Sequence, residues 1–270
     1  MPHYRVGCMG WGYEDWCGPF YPAKAAPIEF LGRYSRVFDL AEVDSSFYRA
    51  PSPFLARRWA TSTPPGFTFS LKVPREVTHA PPTEPVETGI QKFLSGIAPL
   101  REAGKLGPLV AQFPPSFKRP SGAPRLQAIL DGIPTEYSLA VEFRHASWWE
   151  PSVLKTLEAR GAALVWSVYP TVRPPYAVTG PFLYARFVGD RELTEFGRIQ
   201  RDLSDEVTAM RRHFEEEGRS VGEAFVLFNN HFMGYGPGTA RRAQELLDVT
   251  PSDLSLAGRD PGQQRLGEPG

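Results

Sequence analysis

Short apolar runs alternate with longer amphipathic stretches along most of the chain. Alternating or continuously apolar runs predict eight strands, at residues 4–10, 40–46, 68–73, 109–113, the start of 138–149, 162–168, 182–188 and 223–229. Apolar residues three and four positions apart predict helices at residues 28–38, 53–61, 86–104, 125–133, 152–160, 203–217 and 238–247. Pro99 should kink or interrupt the third of these helices.

The order of strand, loop and helix repeats with one exception. Residues 169–181, between strands six and seven, contain Pro170, Pro174, Pro175 and Pro181 and cannot form an ordinary helix. The pattern therefore predicts an α/β fold, a (β/α)8 TIM-type barrel in which a Pro-rich loop replaces one helix. A doubly wound open sheet is the competing fold, but no G-x-G-x-x-G fingerprint follows the first strand.

The chain length suits a barrel of this kind. It has 270 residues, and one such barrel typically takes about 250. We expect a single domain over residues 1–250, followed by a loose Gly/Pro-rich tail at residues 251–270, where apolar side chains are few.

Composition limits the class of partner. The 30 Lys and Arg residues balance 30 Asp and Glu residues, so no bulk positive field gathers nucleic acid or an anionic membrane. Cys8 and Cys17 do not make a disulfide scaffold, and the N-terminus lacks a signal-peptide pattern. No apolar run approaches the roughly 18 residues that span a bilayer. We expect a soluble protein of the reducing cytoplasm, without a membrane partner.

The fifth predicted strand ends in charged residues. Residues 139–141 are apolar, but Glu142 and Arg144 follow and share one face because side chains alternate along a strand. Catalytic groups of α/β folds lie at such carboxyl ends. A single pair is equally typical of a structural ion pair. The ends of the other strands favour a site.

Polar or aromatic side chains also end the other predicted strands. They are Trp11 after strand one, Glu42 and Asp44 on two, Lys72 on three, Gln112 on four, Ser167 on six, Arg186 on seven, and Asn229, Asn230 and His231 on eight. Burying one unpaired charge costs several kcal/mol, so these groups must pair with one another or face a solvated pocket.

Each of these residues has two interpretations. Glu42 and Lys72 fit a structural pair as well as a catalytic one, and Lys72 also suits a base, a Schiff-base nucleophile or a phosphate clamp. The run 229–231 suits strand capping or the recognition of an oxyanion or hydroxyl group. Gln112 is typical of a satisfied polar group.

Loop aromatic residues and carboxylates complete the candidates. Packing is the commoner role for the aromatic residues, although six at one end of a barrel also suit stacking on bases or sugars: Trp11, Tyr13, Trp16, Tyr48, Trp148 and Trp149. The five histidines show no zinc-ligand spacing, so we assign no metal-ligand set. A single Mg or Mn held through Glu42, Asp44 and Glu142 is the remaining alternative.

The ordered motifs resemble those of the DUF72 family, also called YecE-like. They are GWGYEDWCGPFYP (10–22), LAEVDSSFYRAP (40–51), FSLKVPREVTH (69–79), LGPLVAQFPPSF (106–117), AVEFRHASWW (140–149) and FNNH (228–231). The resemblance implies a TIM-type barrel and no assigned activity. It also implies a ring of polar strand ends at Glu42, Lys72, His79, Gln112, Glu142, Arg144, Asn229 and Asn230.

The chain departs from the family pattern at three points. Asp44 stands where Asn is common, Val168 ends a run that is often W-S-D, and the seventh strand ends ARFVGDR in place of R-x-H-G. These differences count further against a metal site. The barrel of the family is similar in shape to xylose-isomerase-like and endonuclease IV-like barrels. This similarity suggests action on nucleic acid or another phosphodiester, by fold analogy only.

Three functions remain open at this level. The leading hypothesis is a hydrolase-type enzyme acting on a phosphodiester or nucleic-acid-like substrate, with Glu142, Glu42 and Lys72 as the candidate catalytic residues. In this hypothesis Arg144, Lys72 and Arg186 clamp phosphate. An acid/base enzyme acting on a sugar or other small molecule is the alternative. The third is a nucleic-acid or metabolite binding module without turnover.

Overall fold

Eight parallel strands form a closed barrel in the order of the sequence. The computed structural model describes residues 2–81, 84–169, 173–202, 204–217 and 221–250. The strands are β1 His3–Met9, β2 Leu40–Val43, β3 Thr68–Lys72, β4 Leu106–Gln112, β5 Leu139–Glu142, β6 Ala163–Val168, β7 Leu183–Phe187 and β8 Glu223–Phe228. The predicted TIM-type barrel is thereby confirmed.

Helices follow most strands and cover the outside of the barrel. Within the described residues they are α1 Pro27–Tyr34, α2 Pro53–Thr61, α3 Arg75–Thr78, α4 Glu87–Glu102, α5 Arg119–Gly132, α6 Pro151–Arg160, α7 Ser204–Glu217, α8 Asn230–Met233 and α9 Gly236–Leu246. Three 3-10 turns lie at Glu14–Trp16, Asp44–Phe47 and Ala146–Trp148. The second of these turns begins directly after β2, and three residues separate the third from the end of β5.

Strand register sets the level of the polar residues. Met9 pairs with Glu42, Gln112 pairs with Glu142, and Ser167 pairs with Arg186. Parallel strands run in one direction around the whole barrel, so their carboxyl ends share one rim. The sequence positions that end the strands therefore come together at a common mouth.

The segment between β6 and β7 agrees with the prediction of a loop. Of the described residues there, 169 and 173–182, none is helical. Residues 170–172 of the Pro-rich segment, residue 203 of the predicted seventh helix and the predicted tail at 251–270 lie outside the described residues.

The helix predictions around Pro99 and residue 125 differ from the structure. Pro99 does not interrupt α4, which continues to Glu102 because its last turn is anchored by the buried Ile97 and Leu100. Helix α5 begins at Arg119, whereas the prediction placed its start at residue 125. Pro120 is compatible with a first helical turn, but no apolar periodicity indicates that turn. Within the described ranges, every helix falls short of what a bilayer crossing requires.

Candidate functional site

The polar strand ends meet in two layers that differ in exposure. The buried layer consists of Glu42, Ser70, Glu142, Tyr184 and Arg186, all fully or almost fully buried. The mouth layer lies above it and consists of Asp44, Lys72, His79, Arg144 and the ring of Tyr169, which retain some access to solvent. A ligand that enters from solvent meets the mouth layer first.

Arg186 of β7 bridges the two buried glutamates, Glu42 of β2 and Glu142 of β5. Its Nη2 donates to Glu42 Oε1 at 2.6 Å, and its Nη1 donates to Glu142 Oε2. The side chain is 3% exposed. The expected role of Arg186 as a phosphate clamp is therefore wrong, because its guanidinium is already occupied by two carboxylates and has no open face.

Glu142 is ionised at neutral pH. Burial raises the pKa of Glu142, but the charges and hydrogen bonds of Arg186 and Arg144 outweigh this effect and lower it to about 2. The other oxygen of the carboxylate accepts from Arg144 Nε at 2.9 Å. A group with this pKa and no exposed surface is unsuited to exchange a proton with a substrate, which the role of a candidate catalytic residue would require.

Glu42 has a different environment. Its Oε1 faces Arg186, while its Oε2 lies 2.8 Å from the hydroxyl of Tyr184. Burial raises the pKa of Glu42, and the positive charge of Arg186 opposes that shift without cancelling it. Glu42 and Glu142 thus do not form an exposed acid/base pair, because neither side chain reaches solvent.

Lys72 and Asp44 form the first ion pair that solvent reaches. Lys72 Nζ lies 3.5 Å from Asp44 Oδ1 and 4.4 Å from the centre of the Phe47 ring. Burial lowers the pKa of Lys72. Asp44 is 33% exposed, and its Oδ1 also lies 3.6 Å from Arg186 Nη2. That oxygen is held by charge alone, since no described residue donates a hydrogen bond to it.

His79 stands beside these groups as a neutral imidazole. Burial, together with the charges of Lys72, Arg75 and Arg144, lowers the pKa of His79 to about 4. Its ring packs edge-on against Phe47, with the ring centres 4.9 Å apart, and its Nδ1 lies 2.8 Å from Thr78 Oγ1.

The short helix α3 places His79 at the mouth. A buried arginine of α5, Arg125, donates to the backbone carbonyls of Val77 and Pro81, which flank His79 in the sequence. Two fixed carbonyls on either side of a residue restrict its backbone. The position of His79 thus depends on a side chain that does not belong to the site itself.

Arg144, two residues after the end of β5, completes the mouth layer. Its guanidinium lies over the ring of Tyr169 at 4.8 Å and is 17% exposed. Its ion pair with Glu142 uses Nε, and no described residue contacts its Nη atoms by a hydrogen bond. Arg144 therefore remains able to present two donors to a ligand.

The three residues after β8 have mainly local roles. Asn229 Oδ1 accepts from the backbone of His231 at 3.0 Å, and His231 Nδ1 lies 3.1 Å from the carbonyl of Leu193. Asn230 is buried, and its Oδ1 accepts from Trp16 Nε1 and from the backbone of Gly236. These contacts occupy the Oδ1 of Asn230, and its assignment to substrate binding stays a prediction.

Gln112 is the last residue of β4. It is 6% exposed, and its Nε2 donates to the carbonyl of Phe113 at 3.2 Å. Its pairing with Glu142 places it at the level of the buried layer. The interpretation as a satisfied polar group fits these contacts better than contact with a ligand.

The aromatic candidates separate by exposure. Trp16 is fully buried among Tyr13, Tyr21 and Tyr34, so its expected role as a ligand platform is wrong. Trp11 packs edge-on against Trp59 and Phe69.

Two tyrosines from this set lie closer to solvent. The Tyr13 hydroxyl donates to the carbonyl of Met9 at 2.9 Å, although the residue is only partly buried. Tyr48 is 75% exposed and touches Phe47 with ring centres 5.3 Å apart. Of the six loop aromatic residues, Tyr48 has the most open ring.

The carboxylates do not fit a magnesium or manganese site. Both oxygens of Glu42 and both oxygens of Glu142 already face Arg186, Arg144 or Tyr184. A guanidinium between two carboxylates occupies the place that a cation would take. No cluster of three His, Cys, Asp or Glu side chains in the described ranges could hold a metal ion.

Sequence reasoning missed two members of the site. Tyr184 precedes Arg186 by two residues and so shares its face of β7, and Tyr169 follows Ser167 in the same way after β6. The alternation of side chains would have pointed to both.

Comparison with known proteins agrees with this architecture. A family model described as "Protein of unknown function DUF72" matches residues 5–265. The chain is 25% identical to the UPF0759 protein YunF of Bacillus subtilis, over 93% of this chain and 96% of YunF. It is 27% identical to the UPF0759 protein YecE of Escherichia coli K12 over 161 residues, which are 58% of this chain and 56% of YecE.

Solved structures show the same barrel. A DUF72 family protein from Thermotoga maritima aligns with a TM-score of 0.75 and 29% identity, over 91% of this chain and 98% of that chain. A DUF72 family protein from Enterococcus faecalis aligns with a TM-score of 0.74 and 23% identity, over 92% and 96% of the two chains. These matches agree on the fold and name no activity or substrate.

Proposed function

We propose that this chain, which belongs to the DUF72 family, is a hydrolase-type enzyme that acts on a phosphodiester or nucleic-acid-like substrate at the barrel mouth. One observation carries the proposal. Lys72 and Arg144 retain access to solvent, while the third cation, Arg186, is committed to the two buried glutamates. Two accessible cations beside an accessible carboxylate are suited to a phosphate group and an attacking water.

The roles follow from exposure and charge. Arg144 and Lys72 bind the phosphate oxygens. The oxygen of the water forms a bond to phosphorus, and Asp44 takes the proton that the water loses. Asp44 has this role because it is the carboxylate of the cluster that reaches solvent. The bond from phosphorus to the leaving oxygen breaks, and Lys72, whose pKa burial lowers, protonates that oxygen. His79 is neutral and orients the substrate through a hydrogen bond.

The buried layer supports the mouth layer from below. Arg186 and Glu142 fix each other, and Glu142 in turn fixes Nε of Arg144. Phe47 supports the ammonium group of Lys72 by a cation–π contact. The exposed ring of Tyr48 offers a stacking surface for a base or sugar attached to the phosphate.

Binding and turnover are tested separately. With a fluorescein-labelled single-stranded DNA oligonucleotide as the probe, Lys72→Met and Arg144→Gln should each weaken binding at least tenfold by anisotropy. The matched controls Lys155→Met and Arg57→Gln remove the same charges from exposed helix positions and should leave binding unchanged. Equal affinity of all four variants would show that Lys72 and Arg144 do not contribute to ligand binding.

Turnover is measured with bis(p-nitrophenyl) phosphate, a chromogenic phosphodiester. Asp44→Asn should lower the rate roughly 100-fold or more while the oligonucleotide still binds, because proton transfer by a positioned group contributes about 10²–10⁴. Binding without cleavage by the unmodified protein would favour a binding module. The sugar-directed alternative lacks support, because both buried glutamates are closed to a ligand.

The proposal includes a cytoplasmic location. Cys8 is buried and Cys17 is partly buried, and both are free thiols. Free cysteines are typical of proteins in a reducing compartment.

A further inference from the structure

A chain of oxygen atoms links the wall of the barrel to Glu42. Ser70 Oγ lies 2.7 Å from the carbonyl oxygen of Pro108, and the same Oγ lies 2.6 Å from the hydroxyl of Tyr184. The Tyr184 hydroxyl then lies 2.8 Å from Glu42 Oε2. All four oxygens are buried, and the three separations match those of O–H···O hydrogen bonds.

These three hydrogen bonds need three protons. The carbonyl of Pro108 can only accept, so Ser70 must donate its single proton there. Ser70 then has none for Tyr184, so the Tyr184 hydroxyl must donate to Ser70. Tyr184 in turn has no proton for Glu42, and the last hydrogen bond forms only if Glu42 Oε2 carries a proton itself.

The position of Ser70 explains why its proton is committed. The register between β3 and β4 shifts between Phe69 and Leu71, which places Ser70 at an irregularity of the ladder. Two oxygens approach to 2.7 Å only with a proton between them, and in the contact with the Pro108 carbonyl that proton belongs to Ser70.

We propose that Glu42 is a neutral carboxylic acid in the resting protein, with its proton on Oε2 and donated to Tyr184. Oε1 is then the carbonyl oxygen of the acid and accepts from Arg186 Nη2 at 2.6 Å, as observed. The buried layer then contains one cation, Arg186, and one anion, Glu142. A neutral layer avoids the cost of an additional charge away from water.

The groups around Glu42 shift its pKa in both directions. Tyr184 and Arg186 face it from β7, Lys72 from β3, and Asp44 from the turn that follows β2. Tyr13, after β1, is also close enough to be affected by its charge. The two cations favour ionisation, while Asp44 and burial oppose it, and burial is the largest of these effects on the pKa of Glu42.

The protonation of Glu42 sets the charge of the whole cluster. Lys72, Arg144 and Arg186 are then opposed by Asp44 and Glu142 alone, which leaves one positive charge for a ligand at the mouth. The inference goes beyond the proposed function and stands without it, because the count of protons involves no ligand.

Infrared difference spectroscopy detects this proton directly. At pH 7 the unmodified protein should show a carboxylic acid C=O band that is absent from Glu42→Gln. A difference spectrum without that band would overturn the inference. If the variant does not fold, neutron diffraction of the unmodified protein gives the same answer, with deuterium on Glu42 Oε2 expected and its absence contrary to the inference.

Urea unfolding at several pH values provides a second readout. Above the unfolded-state pKa of about 4.3, the unfolded chain has released the proton that the native state still holds. The folding equilibrium constant of the unmodified protein should therefore fall relative to that of Glu42→Gln, by up to tenfold for each pH unit until the native pKa is reached. A ratio that is flat or rises with pH would contradict a protonated Glu42.

These experiments are independent of ligand binding. If the protein neither binds the oligonucleotide nor hydrolyses the phosphodiester, the proposed function is refuted and the Glu42 band is still expected. Absence of the band would refute the neutral acid and leave the roles of Lys72, Arg144 and Asp44 intact.

Discussion

Glu42 and Glu142 occupy the same depth but face different partners. Glu142 contacts two guanidinium groups, whereas Glu42 contacts one guanidinium and one hydroxyl. Burial raises the pKa of both carboxyl groups. At Glu142 the charges and hydrogen bonds of Arg186 and Arg144 outweigh burial, whereas at Glu42 the charges of Arg186 and Lys72 are opposed by that of Asp44 and do not.

Replacement of Glu142 tests this difference at the level of one residue. Glu142→Gln should destabilise the protein by about 3–5 kcal/mol, because removal of one partner leaves a buried Arg186 without its counter-ion. The folded pKa of about 2 lies below the unfolded value of about 4.3. The advantage of the unmodified protein should thus be complete above pH 4.3 and shrink as the pH falls towards 2.

Urea unfolding of both proteins between pH 2 and pH 7 measures this difference. The matched control is Glu150→Gln, which removes a glutamate from the exposed ion pair with Arg119 and should change stability little. Equal effects of the two substitutions would show that Glu142 carries no more than an ordinary surface charge.

The residues of the site were largely predictable, and their depth was not. Alternation along a strand put Glu142 and Arg144 on one face. Two residues of a strand span about 6.6 Å, so one of the pair lies well below the other. That distance separates a residue closed to solvent from one that a ligand reaches, and no periodicity reports the level of the rim.

At the scale of elements, α2 and α4 come into close contact through a glycine. A Cβ atom on Gly96 would lie 2.1 Å from the carbonyl oxygen of Pro51, the residue that leads into α2. Gly96 lies in the middle of α4, where glycine is otherwise unfavourable by about 1 kcal/mol relative to alanine. The close packing of the two helices therefore requires the absence of a side chain.

Two helical glycines provide a matched pair of substitutions. Gly96→Ala should destabilise the protein by about 1–3 kcal/mol, because the backbone of residue 51 has to move. Gly32→Ala in α1 should stabilise it by up to about 1 kcal/mol, because its Cβ atom meets only Ser62 at an ordinary 3.7 Å. Thermal unfolding of the two variants checks both signs, and a stabilising Gly96→Ala would contradict the packing.

Helix ends were the part of the fold that the sequence predicted least well. The first predicted helix was extended to residue 38, whereas α1 ends at Tyr34, because Val37 and Phe38 are buried in the turn that follows. Apolar periodicity reports which residues face the core and continues past the last helical residue. The strands, whose apolar runs are short and bounded by Pro or polar groups, were predicted more closely.

At the scale of the whole molecule, net charge limits how a polyanion can bind. The formal charge is zero at pH 7, so the field far from the mouth is weak. Any affinity for nucleic acid should come from the two accessible cations and not from a general attraction.

The salt dependence of binding measures how many cations of the protein contact the polyanion. For a single-stranded oligonucleotide held by Lys72 and Arg144, the plot of log affinity against log salt should have a slope of about −1.4. Arg144→Gln should halve the slope, while Arg57→Gln should not change it. A slope several times steeper would mean that the ligand lies on a different, more basic surface.

The closed barrel also constrains the order in which the molecule can be completed. β1 joins β8 over six residue pairs, from His3 with Glu223 to Cys8 with Phe228. On a ribosome the first strand must therefore wait, with an open edge, until the eighth has emerged. Arg186 is likewise synthesised after both glutamates that it bridges, so Glu42 and Glu142 lack this partner until β7 has been translated. We therefore expect the unfinished barrel to be prone to aggregation until β8 is complete.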